Sequence, residues 1–157
     1  EADGLIHGIV TQNIDNLHQL AGSKKVIPVH GTANVFICQN RKCRKEYPDD
    51  YVKNYAETVP RCQECNGVLK PDVVLFGENI KNYMDAREMI LDARLLIVIG
   101  SSLTVYPLAG FVREFSTSFQ DLVIINKGPT ALDHAALLKI DTGSTGQLLT
   151  EVYRQLK

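Results

Sequence analysis

The sequence predicts an α/β protein whose mostly parallel sheet is interrupted by a small module built on paired cysteines. Three observations predict it. Short apolar runs rich in β-branched residues alternate with stretches of helical character, the pattern of strands joined by crossover helices. Several of those runs end in small or polar residues, where open α/β sheets keep their ligands. The four cysteines all fall in one region, about 36–70, where apolar periodicity fades.

Leu5 to Val10 reads as a buried strand. It runs into the polar turn Gln12-Asn13-Ile14-Asp15 and a short helix that Gly22 would stop, and a second apolar run, Val26 to Val29, ends on His30. An amide and a carboxylate can hydrogen-bond a carboxamide or a hydroxyl, and histidine as a residue type exchanges a proton near neutral pH. From these residues alone an equal reading stands beside it: Asn13 and Asp15 cap a helix, and His30 is a turn residue.

Cys38 and Cys43, then Cys62 and Cys65, give C-x4-C, eighteen intervening residues and C-x2-C. Two close pairs at this separation are the signature of a zinc ribbon, each knuckle turning two thiolates toward one tetrahedral ion. Two disulfides or four unrelated thiols are the other readings, and disulfides need an oxidising compartment. Four cysteines fill the coordination sphere, so the metal is expected to hold the fold and take no part in chemistry. The basic residues Arg41, Lys42, Arg44 and Lys45 beside the first knuckle read as a solvated face.

Pro71 and Gly77 bracket the extended apolar segment Asp72-Val73-Val74-Leu75-Phe76, read on local grounds as a plain strand. Residues 82–93 read as helix. Leu95 to Ile99 is the clearest strand, a continuous apolar run suited to a sheet centre covered on both faces, and it ends in Gly100-Ser101-Ser102 before a helix near Pro107. Leu122 to Ile125 ends on Asn126. Leu137 to Ile140 ends in Asp141-Thr142-Gly143-Ser144, before a helix to about Leu156. Five strand ends thus carry polar or small residues, expected along one edge of the sheet. Together they suit an extended ligand with amide, ribose and phosphate parts, which a dinucleotide satisfies.

Composition narrows the partners. A formal charge of −1 gives no general electrostatic case for nucleic acid or an anionic membrane. No apolar run approaches the ~20 residues that span a bilayer. No secretory leader is read, so a cytoplasmic location is expected. The chain opens on Glu1 without a methionine and is expected to be part of something longer.

In series, T-Q-N-I-D-N-L-H-Q-L-A-G, the following H-G, the cysteine pairs, P-D-V-V-L-F-G-E, G-S-S-L-T-V-Y-P and I-N-K-G-P-T resemble the sirtuins, the NAD-dependent protein-lysine deacylase family. The resemblance runs from about residue 5 to the end. It implies a Rossmann-like sheet, divided as 1–36 and 71–157, with a zinc-ribbon module at 37–70 inserted. It implies NAD as cofactor, structural zinc and acyl-lysine peptides as substrates. Asn13 and Asp15, with Gln12 and Ile14 beside them, would line the nicotinamide carboxamide pocket, and His30 would be the base acting on the ribose hydroxyls. Val74, through its carbonyl, would hold the acyl-lysine amide, and Phe76 would pack on its stem. Gly77 and Glu78 would help the peptide add as a strand. Gly100, Ser101 and Ser102 would meet phosphate and ribose, Asn126 the adenosine ribose, and Gly143 with Ser144 the adenine. The family's usual opening strand, glycine-rich G-A-G-I-S type loop and aspartate–phenylalanine–arginine segment have no counterpart before Leu5, so the first βα unit is expected to be absent and the chain by itself to bind NAD poorly and turn over little. Two other readings are a non-catalytic NAD or ADP-ribose-binding module and a zinc-ribbon interaction protein. Mixed charge and the small share of the ribbon argue against the latter.

Overall fold

Strand β1 (Ile9–Thr11) pairs in parallel with β2 (Val26–Pro28), and the short helix α1 (Leu17–Leu20) lies in the crossover joining them. In this computed structural model residues 1–53, 55 and 58–156 are described. The chain divides into two compact units, Glu1–Ala86 and Arg87–Lys157. The expected first strand, 5–10, is shorter and later: Leu5 and Ile6 lie before β1 and are exposed.

The first unit continues with β3 (Gly31–Cys38), β4 (Glu46–Pro48), helix α2 (Asp49–Lys53) and β5 (Leu69–Val73). These strands form an antiparallel sheet in the order β4-β3-β5. The extended segment beginning at Pro71 therefore belongs to an antiparallel pairing, and only its first residues are strand. Register shifts between Thr32 and Phe36, so Ala33, Asn34 and Val35 have no partner on β5 and form a bulge. Pro71 faces Phe36 next to it, a place in a ladder that tolerates a residue without an N–H. Cys38, Tyr47, Cys62 and Leu69 are buried together, with Phe36, Tyr51 and Val52 packed against them. The cysteine region thus has a small core of its own.

Helix α3 (Tyr83–Leu91) contains the division between the units. The second unit holds β6 (Leu95–Ile99), α4 (Leu108–Phe115), β7 (Asp121–Ile125), a 3-10 turn (Asp133–Ala135), β8 (Leu138–Ile140) and α5 (Thr145–Gln155). Its three strands are parallel, in the order β6-β7-β8. Phe111, Val112 and Phe115 of α4 and Leu122 and Ile124 of β7 form its core. Apolar residues at successive turns of α4 give the one-sided stripe that packs a helix onto a sheet.

β6 departs from the expected sheet centre. Among the described residues it pairs only with β7, and Leu95, Ile97 and Ile99 are 51%, 42% and 45% exposed. A continuous apolar run records that both faces suit burial; it does not say which neighbours cover them.

Gly31 joins His30 to β3. Its φ is +78°, and an added Cβ would lie 1.9 Å from the Asp72 carbonyl oxygen. Gly31→Ala should therefore lower the unfolding free energy by at least about 2 kcal/mol, read from urea denaturation, and wild-type stability in this variant would contradict the β3–β5 pairing.

Candidate functional site

In the first unit backbone hydrogen bonds assemble the polar turn. Val29 N donates to Thr11 O at 3.0 Å, and Ala33 N, inside the β3 bulge, donates to Ile14 O at 2.8 Å. A β3 donor within the bulge thus holds the Gln12–Asp15 segment. His30, half-buried, has Nδ1 3.1 Å from Gln12 O. A carbonyl oxygen only accepts, so Nδ1 carries the proton and Nε2 is the basic nitrogen of the neutral ring.

Asn13 and Asp15 are exposed. Asn13 N donates to Thr11 Oγ1 at 3.1 Å, while the Asp15 carboxylate accepts from Leu17 N at 3.1 Å at the start of α1. Asp15 thus forms a turn just ahead of α1, whose cap position is Asn16 and which has no side-chain cap bond, so the capping role that stood beside the ligand role is not made.

The peptide-facing candidates adjoin His30. Val74 N donates to His30 O at 2.9 Å. Leu75 and Glu78 close a tight turn: Leu75 N donates to Glu78 Oε2, and Glu78 N donates to Leu75 O, both at 2.9 Å. The backbone N–H of Leu75, with Lys70 3.5 Å away, lowers the Glu78 carboxyl below its ordinary value. Gly77 supplies the positive φ of +89° that the turn needs, and Phe76 is fully exposed at its tip.

The four cysteine sulfurs lie within 4.8 Å of one another, with Cys38–Cys65 at 3.4 Å and Cys43–Cys62 at 3.6 Å, and none is in a disulfide. Around a tetrahedral zinc with Zn–S of about 2.3 Å, sulfurs sit about 3.8 Å apart, so the donor set and its spacing fit that ion. The two knuckles are built alike. Arg44 follows Cys43 and Asn66 follows Cys65, each with positive φ, at 52° and 58°. Gly67 backs the cluster: an added Cβ would meet Cys38 Sγ at 2.9 Å. Burial opposes a Cys62 thiolate, yet the Tyr47 hydroxyl and the N–H groups of Cys65 and Glu64 outweigh it and bring that thiol down to about 6. Burial pushes Cys38 up to about 12.

The second unit has a cleft of about 570 Å³ at its strand ends. Gly100, Asn126, Gly143 and Ser144 line it, as do Lys127, Asp141 and Thr142, which the sequence reading left unassigned although they follow the same two strands. Ser101 and Ser102 do not line it and brace the neighbouring loop. Ser101 Oγ accepts from Leu103 N at 3.3 Å, and Ser102 O accepts from Ala131 N at 3.1 Å. Asn126 donates its side-chain amide to Lys127 O at 3.0 Å.

Behind Asn126, Asp133 holds the loop. It accepts from Lys139 Nζ at 2.7 Å, Thr130 Oγ1 at 2.6 Å and Thr130 N at 3.0 Å, and Lys139 also donates to Gly128 O at 2.9 Å. These bonds, Lys139 first, lower the Asp133 carboxyl to about 2 from an ordinary 3.8. A carboxyl depressed in the folded state stabilises above its unfolded value and loses that contribution as pH falls through the folded one. Asp133→Asn should therefore unfold at lower urea than the unchanged chain at pH 7, with the gap closing as pH falls from about 4 toward 2. A gap that stays constant over that window would refute this role.

Comparison with known proteins fits these groups. The model of the Sir2 family matches residues 1–107. A protein of Clostridium acetobutylicum named NAD-dependent protein deacetylase is 43% identical over 154 residues, covering 97% of this chain and 61% of the relative. A solved Sir2 complex with a p53 peptide and NAD+ superposes with a TM-score of 0.90 at 39% identity, covering 98% of this chain and 65% of that one. A Sir2 complex holding an inhibitor, 2'-O-acetyl-ADP-ribose and a deacetylated p53 peptide gives 0.89 at 40% identity, covering 98% and 66%. The chain spans between about half and two thirds of the length of the proteins it matches, and no described helix is long and apolar enough to cross a membrane. The chain belongs to the Sir2 family, and the relatives it matches are named NAD-dependent protein deacetylases.

Proposed function

We propose that this chain carries catalytic and binding residues of an NAD-dependent protein-lysine deacylase, which transfers the acyl group of a lysine to ADP-ribose and releases nicotinamide. The observation that carries the reading is the His30–Gln12 hydrogen bond, which leaves the basic ring nitrogen, Nε2, in a residue joined by its own carbonyl to Val74. When bound, NAD supplies the sugar that accepts the acyl group, with nicotinamide as leaving group. His30 Nε2 takes the proton of a ribose hydroxyl as that hydroxyl becomes a nucleophile, while Nδ1–H on the Gln12 carbonyl keeps the ring in place. Asn13 and Asp15, with Gln12 and Ile14 beside them, receive the carboxamide end of the cofactor. The cleft at Asn126, Gly143 and Ser144 receives adenosine, and Gly100, Ser101 and Ser102 meet phosphate and ribose.

The acyl-lysine peptide lies along Val74, Phe76, Gly77 and Glu78. The exposed Phe76 offers an apolar surface for the lysine stem, and the Leu75–Glu78 turn closes the segment that follows β5. The NAD- and peptide-bound Sir2 structures support this reading through the sequence identity they share with this chain. Cys38, Cys43, Cys62 and Cys65 hold a structural zinc. All four donors are sulfur, so the ion keeps no open position for substrate.

In the protein that contains this chain, His30→Ala should lower deacylation of an acetyl-lysine peptide by about 10²-fold or more, while NAD affinity by calorimetry stays within a few-fold. Retained turnover would remove His30 from the base role. The same experiment separates the enzyme from a non-catalytic NAD or ADP-ribose-binding module, whose unchanged protein shows binding without turnover. For the metal, chelation should release zinc from the cysteine cluster and abolish the near-ultraviolet signal of Tyr47 and Tyr51, with recovery on adding zinc back. A signal indifferent to chelator would show that the fold does not rest on the ion.

A further inference from the structure

Tyr47 lies in β4 opposite Phe36 of β3, and it is 5% exposed. Its hydroxyl oxygen sits 3.2 Å from Cys62 Sγ and 3.0 Å from the backbone nitrogen of Gln63. The Gln63 N–H can only donate, so the tyrosine oxygen accepts there. A metal-bound thiolate can only accept, so the hydroxyl hydrogen must point to Cys62 sulfur. The result is a directed relay, Gln63 N–H to Tyr47 O–H to Cys62 Sγ. Tyr51 packs on the Tyr47 ring with centroids 4.5 Å apart, and the Lys45 ammonium, 5.8 Å over the same ring, pairs with Glu64 of the other knuckle.

We propose that Tyr47 is a positioning residue for the metal, donating a buried hydrogen bond to the Cys62 thiolate; this rests on the zinc reading above. Four thiolates put two negative charges in excess on a zinc site, and Cys38 and Cys62 hold theirs in buried positions. A hydroxyl donor withdraws charge from one sulfur, lowers its nucleophilicity and fixes its lone pairs. Tyr51, whose hydroxyl donates to Arg61 O at 2.8 Å and contacts that of Tyr55 at 3.0 Å, directs its hydroxyl to oxygen and serves as the internal comparison.

The test uses the full chain loaded with Co²⁺ or Zn²⁺. Tyr47→Phe keeps the ring and removes the donor. It should shift the sulfur-to-cobalt charge-transfer band to lower energy and speed zinc loss to a chelator by about 10-fold or more. Tyr51→Phe should leave both unchanged. A Tyr47→Phe protein with the unchanged band and a zinc-loss rate within twofold overturns the proposal, as does an equal shift in Tyr51→Phe. If the unchanged chain takes up no Co²⁺, the zinc reading fails first and this one with it. Should Tyr47→Phe not fold, the unchanged chain loaded with ¹¹³Cd decides. A scalar coupling from the metal to a slowly exchanging Tyr47 hydroxyl proton supports the bond, and a hydroxyl exchanging at the solvent rate overturns it.

Discussion

Strand β3 is the constraint on which the first unit depends, because its two ends carry different groups. Its first residue, Gly31, follows His30, and its last, Cys38, is one of the four clustered cysteines. Eight residues of strand span roughly 25 Å when fully extended. Pairing with β5 fixes both ends at once: Gly31 faces Val73, next to Val74, while Cys38 faces Leu69, buried in the cysteine core. A metal on the cysteines, as proposed, would steady through Cys38 the same ladder that carries His30 and Val74 at its other end.

The bulge in β3 explains how an antiparallel ladder joins a parallel crossover. Within the three residues that leave register, the Ala33 N–H donates to Ile14 O, so the polar turn docks by a main-chain bond. Asn13 and Asp15 consequently stay exposed, as a ligand role requires. Lys81, reaching Asp72 on β5 with a salt bridge and Val29 O through its backbone N–H, ties the strand to the end of the crossover from the other side.

Much of this was readable from residues, and the exceptions have physical causes. β7 and β8 announce themselves through short apolar runs stopped by Asn126 and Asp141, and α5 through its regular apolar spacing after Ser144. The cysteine cluster follows from spacing because ligand geometry, unlike packing, is local. β3 was invisible: Gly-Thr-Ala-Asn-Val-Phe-Ile-Cys lacks a steady period of two, since the bulge resets which face looks inward. The covering of β6 was misjudged because an apolar run reports suitability for burial alone. The resemblance places Gln12 beside Asn13 and Asp15, yet the contact it makes with His30 is through its carbonyl, which every residue possesses and no pattern of side chains reveals.

That last point bears on the proposed chemistry. A carboxylate partner at Nδ1 would favour the charged ring and so oppose the later return of the proton. A backbone carbonyl fixes the same tautomer and orientation while adding no charge. It is also held by the fold: Gln12 lies between Thr11, whose carbonyl binds Val29 N, and Ile14, whose carbonyl binds Ala33 N. A side chain in its place would have to give up rotamer freedom to hold that position. The orienting group for the base is thus a main-chain atom pinned on both flanks by the crossover and the bulge, and its position follows from backbone topology more than from the identity of residue 12.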